Sequence, residues 1–154
     1  MNILHGIAEE IGFRPSMEDA HAIWDREEEG LFSAEVYDGH GGREAAYAAA
    51  ESLTAHFLSL LKSDRSNAAH DKRPDPELLR QAYLAADRYI VGLGIEGGTA
   101  AATFHIFGDT FLAANAGDSR VIIGTGRTAV QLTLDHKPNL PAERSRIESL
   151  GGRV

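Results

Sequence analysis

The chain has 154 residues, 43% of them hydrophobic and 25% charged, with a net charge of −8 and no cysteine. That composition belongs to one soluble globular domain, spanning 1–154, and excludes a disulfide framework or a thiolate metal site; the acidic balance argues against broad nucleic-acid binding, which relies on clustered Lys and Arg. No apolar run approaches the roughly 20 residues of a membrane span, and the first ten residues lack the basic start and apolar core of a signal peptide, so the expectation is a cytoplasmic protein with no membrane and no nucleic-acid partner.

In chain order, HAIWD (21–25) and LFSAEVYD (31–38) are the first stretches with the β-branched and aromatic content of strands. The second runs into Gly39-His40-Gly41-Gly42, a corner richer in glycine than a plain connection needs. An alanine-rich helix is predicted next, from about Arg43 to Leu61, with Ala46, Ala49, Leu53, Phe57 and Leu60 on one face. The polar stretch 62–76 is predicted to be a surface loop. Asp75 as N-cap and Pro76 as first helical residue open a second helix. Its stripe is Leu79, Ala82, Ala86 and Ile90, and Gly92 and Gly94 end it.

Four further strands are predicted: GTAAATFHIFG (98–108), TFLAANAG (110–117), SRVIIG (119–124) and AVQLTLD (129–135). Gly108-Asp109 is a two-residue hairpin link, and 124–127 makes a second tight turn. With no room for helical crossovers, this half reads as an antiparallel meander. Helices laid on an antiparallel sheet make the fold class α+β. A short last helix, 141–150, stops at Gly151-Gly152.

Chemistry gathers at strand ends in RPSMED (14–19), YDGHGG (37–42), GGTA (97–100) and AGDSR (116–120). Glu18, Asp19, Asp38 and Asp118 flank strands there instead of lying on exposed helix faces. Hard cations such as Mg²⁺ and Mn²⁺ take carboxylate, carbonyl and water oxygens, and at Gly39 a carbonyl can reach an ion with no Cβ in the way. The glycines of the 38–42 corner match neither a P-loop pattern nor G-x-G-x-x-G and have no βαβ context, so they are not expected to be a nucleotide-binding loop.

RPSMED, VYDGHGG, GGTAA, ANAGDSR, LTLDHKP and RIESLGGRV, in that order over about 6–154, resemble the metal-dependent Ser/Thr protein phosphatases of type 2C. The resemblance implies a largely antiparallel β-sandwich flanked by helices, with a two-metal cleft at one end of the sheets. It implies that Asp38 bridges two Mn²⁺ or Mg²⁺ ions and that Glu18 and the Gly39 carbonyl complete the ligands of one. It further implies that Arg14 holds the substrate phosphate, that Asp19 and Thr99 support waters of the metal shell, and that Asp118 helps bind a weaker third ion. His40 resembles the histidine proposed to protonate the leaving alkoxide. These roles agree with the residues' own chemistry: paired ions activate water, a guanidinium fork matches phosphate, and an imidazole delivers a proton near its own pKa.

The chain departs from the family pattern at its C-terminal end. Family domains continue for roughly a hundred residues with two more metal-binding aspartates, whereas after Asp118 the only acidic residues here are Asp135, Glu143 and Glu148. The expectation is therefore a truncated domain with an incomplete sandwich and a complete ligand set for one ion. The function expected is metal-dependent hydrolysis of a phosphoprotein or small phosphate ester. The alternative is a catalytically impaired metal-binding or interaction module. An uncovered sheet face predicts a homodimer. Elsewhere His5, His56, His70 and His105 are expected to be structural or surface residues. His21 is expected to be packed or hydrogen-bonded, His136 to sit in a turn held by Asp135, Arg120 to pair with a carboxylate, and Trp24 to lie in the core.

Overall fold

The computed structural model describes residues 3–26, 28, 30–67 and 75–154. Two strands, β1 (Ala20–Arg26) and β2 (Leu31–His40), lead into two long helices, α1 (Glu44–Asn67) and α2 (Pro76–Gly92). A second strand pair, β3 (Gly98–Phe107) and β4 (Thr110–Ala116), is followed by the short hairpin β5 (Ile122–Thr125) and β6 (Thr128–Gln131) and by α3 (Pro141–Ser149). β1 to β4 form one sheet in that order, antiparallel throughout, and β5–β6 form a separate two-stranded sheet. The expected meander is thus broken after β4. Val121 stays linked to the far arm, accepting from the Leu132 N–H at 2.9 Å, and the Asn115 side chain donates to the Leu134 carbonyl at 2.7 Å.

Strand alternation divides the large sheet into two faces. In β2 Leu31, Ser33, Glu35, Tyr37 and Gly39 are buried, whereas Val36, Asp38 and His40 are exposed. The buried phase packs under α1 and α2 in a cluster that includes Leu31, Tyr37, Leu53, Phe57, Leu79 and Phe107. The helices thus cover one face of the four-stranded sheet, and the layers match an antiparallel sandwich flanked by helices and incomplete on the other face.

Both main helices form where their sequence places them. Asp75 caps α2, accepting from the Glu77 N–H at 2.9 Å, and Leu79, Ala82 and Ala86 are its buried stripe. α1 runs six residues past its expected end, because nothing between Glu44 and Asn67 is Gly or Pro. Lys62 to Asn67 are therefore helical, not loop, and the rest of that predicted loop, 68–74 with His70, lies outside the described residues. Four-residue steps carry the buried stripe from Leu53 through Phe57 to Leu61, leaving Leu60 partly exposed at its edge.

Candidate active site

Asp38 and His40 project from the same face of β2, away from the helices, at the end where β2 leaves the sheet. The strand does not end at Asp38 as its glycines suggest. Asp38, Gly39 and His40 remain in register with Ala100, Thr99 and Gly98 of β3. The corner comes at Gly41 and Gly42, with φ of +72° and +113°, a region costly for any side chain.

Gly39 answers a different need. A Cβ there would collide with the Glu18 carbonyl oxygen and lie 3.0 Å from its carbon and 3.2 Å from the Ala46 Cβ. The Glu18 backbone therefore rests directly on β2. Ala20 is the partner of Tyr37 at the end of the β1–β2 ladder, so the residues just before it, Glu18 and Asp19, arrive at the Asp38 end of β2. Upstream, a turn in which the Arg14 N–H donates to the Ile11 carbonyl at 3.3 Å folds the N-terminal segment back toward these carboxylates.

Arg14, Glu18, Asp19 and Asp38 consequently line one cavity of about 170 Å³. Glu10, which sequence reasoning missed, lines it as well. Among the described residues Arg14 forms no ion pair, so its guanidinium is available to an anion. No three His, Asp or Glu side chains among the described residues stand close enough to hold an ion by themselves. The carboxylates border the cavity without converging. This donor set fits a hard divalent cation whose shell is completed by water, the habit of Mg²⁺.

The other expected site residues are distributed around this cavity. The His40 ring lies over Gly98, with Nε2 only 2.6 Å from where a Cβ would stand, and is exposed to solvent. Asp118 follows β4 at the same sheet end but is not brought into the cavity; Lys137 Nζ is 3.9 Å from its carboxylate. Thr99 points to the helix side and borders a separate apolar cavity of about 520 Å³ with Tyr37, its hydroxyl donating to the Ala100 carbonyl at 2.8 Å. Neither residue touches Asp38's cavity in this arrangement.

Among the residues expected to be structural, Arg120 pairs with Asp135 through Nε at 2.8 Å, and this pairing holds the Asp135 carboxyl below the usual carboxylate range. The exposed His136 donates its backbone N–H to the Gly117 carbonyl at 2.8 Å. His21 is held by Glu9 at 2.7 Å, and His5 packs on Phe32. Trp24 is not in the core: it is half-buried on the edge strand β1 with the Arg26 guanidinium over its ring at 5.3 Å.

Behind the site lies a buried polar network that sequence reasoning also missed. Glu35, only 2% exposed, accepts from Ser33 at 2.8 Å, from Tyr37 at 2.6 Å and from Thr54. His105 Nδ1 lies 2.9 Å from Ser33 Oγ, whose one proton goes to Glu35, so His105 is the donor and its Nε2 is the buried atom left without a partner. Burial pushes the Glu35 carboxyl up despite its three donors and lowers His105 to about 4. A signal existed in the sequence: Glu35 sits in the same alternation phase as Leu31 and Tyr37, the phase that must be buried.

A family model described as "Protein phosphatase 2C" matches residues 4–154. Among curated relatives, "Probable protein phosphatase 2C 54" of Oryza sativa subsp. japonica is 33% identical across 99% of this chain and 43% of its own length. "Probable protein phosphatase 2C 27" of Arabidopsis thaliana is 39% identical across 77% of this chain and 30% of its own. The solved "Structure of a C.elegans sex determining protein" superposes with a TM-score of 0.76 at 25% identity, covering 91% of this chain and 36% of that one. A serine-threonine phosphatase 2C from Toxoplasma gondii, 24% identical, shares the fold with a TM-score of 0.71 over 94% of this chain and 53% of its own. The chain thus spans under half the length of these curated relatives.

Proposed function

The chain belongs to the protein phosphatase 2C family, and from that premise we propose that it carries out metal-dependent hydrolysis of phosphate monoesters, of the phosphoserine and phosphothreonine type. One observation carries this: Arg14, Glu18, Asp19 and Asp38, from two separate stretches of chain, face a single cavity. Mn²⁺ or Mg²⁺ is the cation class its oxygen donors suit, with Glu18, Asp38 and the Gly39 carbonyl as holders. A divalent cation bound there supplies Lewis acidity and an activated water for in-line displacement at phosphorus.

The protein's own groups do the rest. Arg14, unpaired at the cavity wall, grips the phosphate through a bidentate fork and orients it toward Asp38's side of the cavity. His40, exposed on the same strand face as Asp38 though not in the cavity lining, is the imidazole that would donate a proton to a leaving alkoxide after a movement of its ring. Asp19, at the wall of the same cavity as Asp38, supports waters of the metal shell. Asp118 and Thr99 take part only through water or after movement, since neither lines this cavity.

Hydrolysis of an aryl phosphate with and without Mn²⁺ tests the proposal. Activity that needs Mn²⁺ and falls at least 100-fold in Asp38→Ala supports it. Equal background in both proteins would leave a metal-binding or interaction module instead. We also infer a homodimer, in which a second copy covers the face of β1–β4 turned away from the helices. Its motive is the exposed apolar surface there, with Val36 54% and Phe111 45% exposed.

A further inference from the structure

The proposed reaction leaves unused the buried network of Ser33, Glu35 and His105, none of them more than 2% exposed. Ser33 and Glu35 share the helix side of β2, two residues apart, and Ser33 is the register partner of His105 on β3. The Ser33 Oγ therefore stands between two titratable groups, 2.8 Å from Glu35 Oε1 and 2.9 Å from His105 Nδ1. Glu35 takes its other bonds from Thr54 of α1 and, at Oε2, from Tyr37. The remaining surroundings are uncharged. On the helix side, Phe57 of α1 lies against the His105 ring, and Tyr83 of α2 bonds Thr103 at 3.0 Å. From the flanking strands the register partners are Ala22 and Leu112. Burial pushes both tyrosines up, and among the described residues no Lys or Arg pairs with Glu35 or His105.

A hydroxyl has one proton to give. When Glu35 is a carboxylate, Ser33 gives it that proton and accepts from an Nδ1–H of His105. A protonated Glu35 must instead donate. If Tyr37 accepted, its own proton would have no second acceptor among the described residues. If Thr54 accepted, its proton would have to reach Ser33 Oγ, 3.5 Å away. Ser33 alone has a second acceptor close by, in Nδ1, and His105 then carries its ring proton on Nε2. We propose that Glu35, Ser33 and His105 form a buried proton switch, in which ionisation of the Glu35 carboxyl moves the His105 ring proton from Nε2 to Nδ1. The protons balance: Glu35 passes its proton to Ser33 Oγ, Ser33 passes its own to Nδ1, and the Nε2 proton is released. That leaves the carboxylate state with a bare Nε2, the buried atom without a partner. Thr54 and Tyr37 bind Glu35 in both states, so α1 stays anchored. Burial raises Glu35 above 4.5 and lowers His105 to about 4, so acidification reaches Glu35 first.

Nuclear magnetic resonance of the full chain, labelled with ¹³C in glutamate and ¹⁵N in histidine, tests the switch from about pH 8 down to 4.5. The Glu35 carboxyl ¹³C shift marks its ionisation, and the two-bond ¹H–¹⁵N pattern of the His105 ring reports which nitrogen holds the proton. The expected result is an Nδ1–H ring at the alkaline end that reverses to Nε2–H at the pH where the Glu35 carboxyl gains its proton. In Ser33→Ala, which cuts the link, and in Glu35→Gln, which has nothing to ionise, one tautomer should persist over the whole range. The wild-type titration decides by itself, whether or not either variant folds. A His105 tautomer that stays constant while Glu35 titrates overturns the proposal. So does a Glu35 carboxyl that remains ionised down to pH 4.5, or a reversal that survives in Glu35→Gln.

Discussion

At the scale of single residues, the site depends on how closely two backbones approach. Gly39 lets the Glu18 main chain lie on β2, and that contact brings the 14–19 segment to Asp38. Gly39→Ala should therefore push the two apart, costing about 1–3 kcal/mol as an overpacked contact does. Urea denaturation should show the midpoint falling while Mn²⁺ binding weakens at least fivefold. A variant as stable and as tight-binding as wild type would mean that the approach is not what positions Glu18. His40 and Asp38 were legible as a pair from the sequence, because two residues apart on a strand means one face. Glu10 was not, since only the turn at Ile11–Arg14 brings it back.

At the scale of elements, β2 does two things with its two faces. Its exposed phase carries Asp38 and His40, and its buried phase carries Ser33, Glu35 and Tyr37 into the helices. The buried chain from His105 through Ser33 to Glu35 makes stability depend on pH in two opposing ways. His105 titrates near 4 when folded and 6.5 when unfolded, so between these the unfolded state binds more protons and stability rises with pH. That contribution, on the order of 3 kcal/mol for a shift of this size, is full above about 6.5 and lost toward 4. Glu35 is shifted upward from 4.5, so the folded state binds more protons above that value and stability falls as pH rises through the window. Glu35→Gln removes the second effect. Its urea midpoint should climb more steeply than that of wild type between pH 4.5 and 6.5. Parallel slopes would show that Glu35 is ionised throughout that range in the folded protein.

At the scale of the whole molecule, the helices cover only one side of the sheet. The face opposite the helices presents Val36, Phe104, Ile106 and Phe111, and strand alternation makes their exposure a property of the fold, not of one loop. A second copy applied to this face would bury it, with the two sheets stacked about 10 Å apart as in a sandwich. Light scattering should give twice the 16.6 kDa chain mass at micromolar concentration, and Val36→Asp with Phe111→Asp should return it to one. A well-folded wild-type monomer at that concentration would sink the dimer.

Much of this architecture follows from local rules. The N-cap and proline of α2, the 3.6-residue stripes, the Gly108-Asp109 hairpin and the ordered motifs from RPSMED to ANAGDSR are all patterns of near neighbours, and the elements and the family were legible from them. The break after β4, the half-exposed Trp24 and the placing of Thr99 and Asp118 away from the Asp38 cavity were not. Each depends on which strand lies beside which, or on what covers a face. The same holds for the meeting of Glu10 with Arg14, Glu18, Asp19 and Asp38, and for Glu35 lying buried with His105. Spacing along a chain determines periodicity and type; only packing between distant segments decides which side chains share a cavity.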